Sequence, residues 1–390
     1  MKTRLTRRNF DYLLLIYILI LLGIGVLMCA SASFVRSSYQ AENSTAWGLM
    51  RSQFLATAAG IAIMIALSFV DYHVYKLFAG YVLIGAALLN IFTAIFGISL
   101  NGARRWIAIP KLGSFQPSEL AKIAIMLFLA ALFSDEKFGE KSRGWWGIIT
   151  FGVPIALTAG SVIIQKHTSA TVIVLAIALV ILIFARLKPY LWAVAGIVLA
   201  AVIIVAVVFL GDSLFSHVGK RLEVYQNTYL GIVNPDAITE ENEASFDQIQ
   251  NSLWAIGSGG FFGKGYAKGV QKYAYLPECY NDFIFAIVAE ELGFVGVAGI
   301  LILFALLIMR GYRASSFAKD RFGMLLGVGI VTMVAVQTVL NICVVSCLIP
   351  VTGVSLPFFS YGGTAMIIML GAMGVLLNIA KQGNYNKLKF

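Results

Sequence analysis

Apolar runs of about 20 residues, the length a helix needs to cross hydrocarbon, recur along nearly the whole chain and leave few options for its fold. They fall at 11–33, 49–70, 78–97, 117–134, 145–164, 170–186, 190–210, 283–309, 324–349 and 360–380. In lipid every backbone polar group must be bonded internally, and runs this long without polar alternation make helices rather than barrel strands. The expected fold class is therefore an all-α integral membrane protein with about ten transmembrane helices. A composition of 59% hydrophobic and 12% charged residues, with a mean hydropathy of +0.86, agrees. The first run follows Lys2, Arg4, Arg7 and Arg8 and shows no small-residue cleavage site, so an anchor is expected rather than a removable signal.

Lysine and arginine near helix ends are retained on the cytoplasmic side. Their distribution predicts a multi-pass protein of the cytoplasmic membrane with both termini inside. It also assigns most of the +10 net charge to insertion, not to nucleic acid. Two outer groups stand apart: Arg104, Arg105 and Lys111 in one connection, and Lys220, Arg221, Lys264, Lys268 and Lys272 in another. Such clusters can receive an anionic substrate. The four cysteines and three histidines are scattered, which argues against a disulfide framework or a zinc-type centre.

One polytopic domain, 1–390, is expected, interrupted by a large extracytoplasmic loop, 211–282, between helices 7 and 8. The loop starts acidic and changes character at Gln248, which shares a helical face with Ser252. Glycines at 257, 259, 260, 263 and 265 then permit turns and close approach. Gly263-Lys264 imitates the end of a phosphate loop. Ser258 and Gly265, however, stand where that pattern needs Gly and Ser/Thr, so nucleotide binding is rejected.

The loop ends in LPECYNDFIFAIVAEELG, 276–293, which places Asp282 where polar sequence enters a span. Ionisable groups at such depth, here also Glu278, Glu290 and Glu291, mark functional sites. In the connection 101–122, Pro117 and Glu119 suit a helix's first turn. Lys122, three residues on, can pair with Glu119, either as a buried structural pair or as one that faces a cavity and orients substrate or acid. The segment PVTGVSLPFFSYGG, 350–363, cannot be a regular lipid-facing helix and is expected to be re-entrant, with Asn341 satisfying its freed backbone groups.

Five motifs in order, NGARRWI (101–107), FQPSELAK (115–122), AIGSGGFFGKG (255–265), LPECYNDFIFAIVAEELG (276–293) and IPVTGVSLPFFSYGG (349–363), make the chain resemble the SEDS proteins over nearly its full length. That family includes RodA, FtsW and SpoVE. The resemblance implies ten spans, cytoplasmic termini and a peptidoglycan glycosyltransferase that polymerises lipid II. It also implies a class B penicillin-binding protein as partner transpeptidase, among other divisome or elongasome membrane proteins. By the same resemblance Asp282 matches an essential acid, and Glu119 and Lys122 match a functionally important pair. The first and last runs look more like the FtsW and SpoVE branches than the elongation branch. Where many relatives carry QPDLGT, this chain has Gln165-Lys166-His167-Thr168-Ser169, so His167 is given no catalytic role.

The chemistry needs a base for a sugar hydroxyl and a cation for a departing lipid diphosphate. Asp282 supplies the base. Arg104, Arg105 or Lys264, or a divalent cation such as Mg²⁺ or Mn²⁺, supplies the charge. Gln248, Ser252 and Glu278 complete the candidate supporting set. A lipid II flippase and a structural scaffold are the competing classes.

Overall fold

The structure is a computed structural model that describes residues 10–39, 48–100, 103–109, 113–135, 148–185, 196, 243–273 and 275–383. Its helices are α1 (Tyr12–Tyr39), α2 (Gly48–Phe69), α3 (His73–Phe96), α4 (Pro117–Ser134), α5 (Val153–Ile164), α6 (Thr168–Phe184), α7 (Glu243–Gly259), α8 (Ile284–Ser316), α9 (Arg321–Val345) and α10 (Gly363–Gln382). Among the described residues seven of them, α1 to α4 and α8 to α10, are long and apolar enough to cross a membrane, and α5 and α6 are shorter apolar helices. Nine expected spans thus coincide with helices. The span expected at 190–210 lies, apart from residue 196, outside the described residues. A π-helical turn, Ile148–Gly152, leads into α5.

Helices α4 and α9 form the centre: α4 packs on α3, α6 and α9, while α9 also contacts α8 and α6. α2 lies along α10, and α1 along α8. Pro117 begins α4, where its missing N–H costs nothing, and Glu119 follows in the first turn.

One element departs from the all-α expectation. β1 (Ile98–Leu100), β2 (Ala103–Ile109) and β3 (Gly113–Phe115) form a small antiparallel sheet, order β1-β2-β3, between α3 and α4. Asn101-Gly102 separates the paired residues Leu100 and Ala103, and this dipeptide is the strongest short-range hairpin signal. Ser99 faces Arg104 and Ile98 faces Trp106, so the register steps over Arg105. A bulge of this kind re-aims a side chain.

The second half of the expected loop is also more ordered than a solvated connection. Residues 243–259 are α7, and the glycine-rich segment after it lies in a break of α8. At Gly293 (φ 64°, ψ −169°) the helix is interrupted, about 13 Å from its first residue at 1.5 Å per residue. The freed groups are taken up by the loop: Lys264 N donates to Glu290 O (3.0 Å), Gly265 N to Glu291 O (3.0 Å), Phe294 N to Gly260 O (2.9 Å) and Val295 N to Phe261 O (3.1 Å). Irregular backbone at this depth survives where protein covers it. Gly263 is required at the crossing, since its φ is 78° and a β-carbon there would lie 2.2 Å from the Glu291 carbonyl oxygen. Gly263→Ala is therefore expected to cost more than the roughly 1–3 kcal/mol of left-handed strain alone. Thermal unfolding in detergent measures this, and an unchanged midpoint would mean that the loop does not seat in the break.

Candidate active site

Asp282, half-buried, lies two residues before α8 at the end of the bundle that also holds the sheet, the start of α4 and the connection 346–362. Its position is held through backbone groups. Asn341 Nδ2 on α9 donates to the Asp282 carbonyl (2.8 Å) and to the Val354 carbonyl (2.7 Å), so one amide ties the acid's loop to the non-helical connection. This is the task expected of Asn341. Ser360 Oγ accepts from Leu356 N (2.7 Å) and donates to Asn281 O (2.8 Å), and Tyr361 N donates to Tyr280 O (2.9 Å). The Tyr361 hydroxyl reaches Ser52 Oγ (2.8 Å) on α2.

The side chains meet at Gly353. A β-carbon on that residue would lie 3.0 Å from Asp282 Oδ2 and 3.9 Å from Arg105 Nη1. Carboxylate and guanidinium thus converge on a point kept open by the absence of a side chain. Arg105 Nη2 donates to the Lys166 carbonyl (2.6 Å) in the turn between α5 and α6. Beside it the buried His167 places Nδ1 3.1 Å from Ser118 Oγ and 3.4 Å from Gln116 Nε2, packing that turn onto the start of α4. Arg104, exposed on the same strand, gives its guanidinium to the Ile95 carbonyl instead.

Beneath this point Lys122 Nζ and Glu119 pair at 2.7 Å, and both are almost fully buried (1% and 6% exposed). Glu119 also borders a small, partly enclosed space of about 20 Å³, room for one water, with Gln337, Ser355 and Ser360. Gln337 Oε1 is buried there without a hydrogen-bond partner among the described residues. The pair is thus a buried one whose carboxylate side borders a small space.

Residues 12–385 match the model of the cell cycle protein family of FtsW, RodA and SpoVE. The chain belongs to this family. Stage V sporulation protein E of Bacillus subtilis is 36% identical over 382 residues, covering 96% of this chain and 98% of that protein. A probable peptidoglycan glycosyltransferase FtsW of Geobacter sp. (strain M18) is 34% identical, with coverage of 95% and 97%. Among solved structures, a chain of a peptidoglycan synthase complex that coordinates polymerisation and crosslinking superposes with a TM-score of 0.72 at 23% identity, over 95% of this chain and 98% of that one. The rod shape determining protein RodA of Thermus thermophilus gives 0.64 at 22%, over 95% and 97%. The fold of this family member is therefore that of a RodA-like multi-pass membrane protein.

Other candidate residues of this family member have local tasks. Lys264 Nζ lies 2.7 Å from Glu290 Oε1, two turns along α8 from Asp282. Ser252 is fully buried on α7 and donates to the Val345 carbonyl (2.8 Å), while Gln248 Nε2 reaches Pro277 O (3.4 Å). Glu278 turns the chain with φ 53°, its carbonyl accepting from Asn281 N and Phe283 N. Sequence reasoning missed Gln337, Ser360 and Gly353. Gln337 sits one turn before Asn341 in an apolar run and carries the same signal that exposed Asn341. No cluster of three His, Cys, Asp or Glu side chains able to hold a metal occurs among the described residues, and the guanidinium of Arg105 shares the Asp282 corner with any incoming cation. Among the described residues, the groups at this corner do not by themselves make a divalent-ion site.

Proposed function

We propose that this chain polymerises lipid II into glycan strands at the outer face of the bacterial cytoplasmic membrane, with both termini cytoplasmic. The observation that carries the proposal is the convergence of Asp282 and Arg105 on Gly353, a base and a fixed cation delivered by separate segments of the chain. Relatives named probable peptidoglycan glycosyltransferase support the same substrate class.

In this reaction Asp282 takes the proton of the acceptor sugar's hydroxyl. The oxygen attacks the anomeric carbon of the donor, and the bond from that carbon to the diphosphate oxygen breaks. Lipid diphosphate leaves with its negative charge toward Arg105, and the proton remains on Asp282 for release to solvent. A single displacement inverts the anomeric centre. General-base action is worth about 10²–10⁴-fold, and one preorganised donor at the developing charge about 10²–10³-fold. Arg105 takes the role for which Arg104 and Lys264 were alternatives, because those two are engaged elsewhere. A Mg²⁺ or Mn²⁺ ion would enter on the substrate's diphosphate. Gln248, Ser252 and Glu278 support the loop that carries Asp282, and Glu119 with Lys122 supports the floor below it.

A class B penicillin-binding protein is the proposed partner, in line with the likeness to a chain of a peptidoglycan synthase complex. Identities of 36% and 34% to SpoVE and FtsW relatives favour division or sporulation over elongation. Buried charges lie at three depths along α8, but the deeper ones, Glu290 with Lys264, Glu291 with Lys272 and Arg310 with Asp11, are paired within the protein, which disfavours a flippase path. A scaffold would have no use for an acid and a cation at one corner. The deciding experiment incubates purified protein with lipid II, with and without its cognate transpeptidase, and sizes the products on a gel. Absence of polymer in both arms would reject the reading.

Gly353 allows a finer test. Its φ lies outside the left-handed region, so a side chain there is sterically a matter of neighbours, not of backbone strain. Gly353→Val is expected to leave the fold intact and to lower turnover by about 10²-fold, the usual cost of misplacing reacting groups by about 1 Å. Wild-type turnover in steady-state polymerisation would remove Gly353 from the site.

A further inference from the structure

Glu290 and Glu291 are 0% and 1% exposed, and the reaction above uses neither. Both are heavily bonded. Glu290 Oε1 accepts from Lys264 Nζ (2.7 Å) and Val270 N (2.8 Å), and its Oε2 accepts from Gln271 N (3.2 Å). Glu291 Oε1 accepts from Lys272 Nζ (2.7 Å), Ser31 Oγ (2.7 Å) and Gly269 N (3.3 Å), and its Oε2 accepts from Ala267 N (2.9 Å). Lys272, itself 3% exposed, also donates to Ser31 (2.8 Å).

A plain ion pair does not need this arrangement. Four main-chain N–H groups of 267–271 end on two adjacent carboxylates, so what is held is the path of the backbone, not only the charge of two lysines. The held segment runs straight into the loop of Asp282: Leu276 N donates to Gln271 O (2.9 Å), and Glu278 O then turns the chain into α8. Residues 272–284 therefore form a short loop with both ends fixed to one helix, the upper end as the start of α8 and the lower end through Glu290 and Glu291. Asp282 rides on that loop. The bonds from Asn341 to the Asp282 carbonyl and from Ser360 to the Asn281 carbonyl fix the loop sideways against α9 and the connection 350–362, while the glutamates fix it along the α8 axis.

We infer that Glu290 and Glu291 are positioning residues for polymerisation, clamping 267–272 onto α8 so that the Asp282 carboxylate stands level with Arg105. The inference rests on the polymerase reading above. Neither glutamate touches substrate; they act through the loop.

The test uses the full-length protein in lipid nanodiscs. Glu290→Gln keeps the side chain's shape and one acceptor oxygen. Glu291→Gln is combined with Lys272→Met so that no lysine is left buried alone. Polymerisation of lipid II gives kcat and KM, and hydrogen exchange is followed over 260–283 and over α4 and α9. Both variants are expected to lower kcat by about 10–10²-fold, as for small misplacements, with KM within about twofold, the mark of an interaction that matters in the transition state. Exchange should rise over 264–283 and stay unchanged in α4 and α9.

A charge swap, Glu291→Lys with Lys272→Glu, restores a pair but not the acceptor for Ala267 and Gly269, and it should remain slow. Full recovery by the swap would overturn the inference, because pairing alone would then suffice. Lost kcat with unchanged exchange would overturn it too, as would raised exchange with wild-type kcat. Asp282→Asn in the same assay keeps the two readings apart. Polymer from wild type and none from that control upholds the polymerase reading whatever the glutamate variants do. No polymer from wild type rejects that reading, while the exchange arm still judges the clamp.

Discussion

Asp282→Asn is expected to abolish glycan polymerisation while leaving folding and membrane insertion intact. The amide keeps the size of the side chain and the backbone bond from Asn341, which engages the main-chain carbonyl and not the carboxylate. What it loses is the ability to take a proton. General-base catalysis contributes about 10²–10⁴-fold, so residual activity above about a tenth of wild type would be incompatible with that role. The measurement is polymer formed from lipid II by purified variant, alongside a thermal unfolding curve to show that the fold is retained.

Breaking the Glu119–Lys122 pair is expected to have the largest effect on stability. Both side chains are almost fully buried at 2.7 Å separation. Removing one partner strands the other in the core, which typically costs about 3–5 kcal/mol. Glu119→Gln alone and Lys122→Met alone should each lower the unfolding midpoint more than the double substitution does, since two neutral side chains leave no uncompensated charge. A double-mutant cycle in detergent checks this, because contacting residues couple while independent ones add. Additive losses would mean that the contact is energetically idle. Since Glu119 also borders the space shared with Gln337 and Ser360, the double variant is further expected to lose activity even where stability is largely recovered.

The spans were legible because lipid leaves a chain no cheaper way to satisfy its backbone, and nine of the expected runs became helices for that reason. Polar residues stranded in such runs were legible for the same reason. Asn341 does bridge two freed carbonyls, and Glu119 does find Lys122. What escaped depends on partners distant in sequence. Arg104 and Arg105 are adjacent and chemically alike, and only the stepped register of β1 on β2 sends one to Ile95 and the other to the Asp282 corner. The hairpin had a local signal in the Asn101-Gly102 dipeptide between Leu100 and Ala103, but the long apolar runs on either side dominate the pattern there. Lys264 looked like a phosphate ligand because its partner, Glu290, stands 26 residues further along the chain. The depth reached by the glycine-rich segment was hidden likewise. Glycines permit a close approach, but they do not name the surface approached.

The break in α8 also governs how this part of the chain can enter a membrane. In an unbroken helix the amides of Phe294 and Val295 would donate to the carbonyls of Glu290 and Glu291, four residues back. The finished bundle diverts all four groups to residues 260–265, which are synthesised first. Alone, α8 can therefore cross lipid as one continuous helix with its backbone satisfied internally. The break at Gly293 then forms only when the preceding segment seats against it. A separate α8 fragment should insert as a straight span, and bend only when a fragment ending after residue 265 is supplied, an order of assembly that the finished bundle conceals.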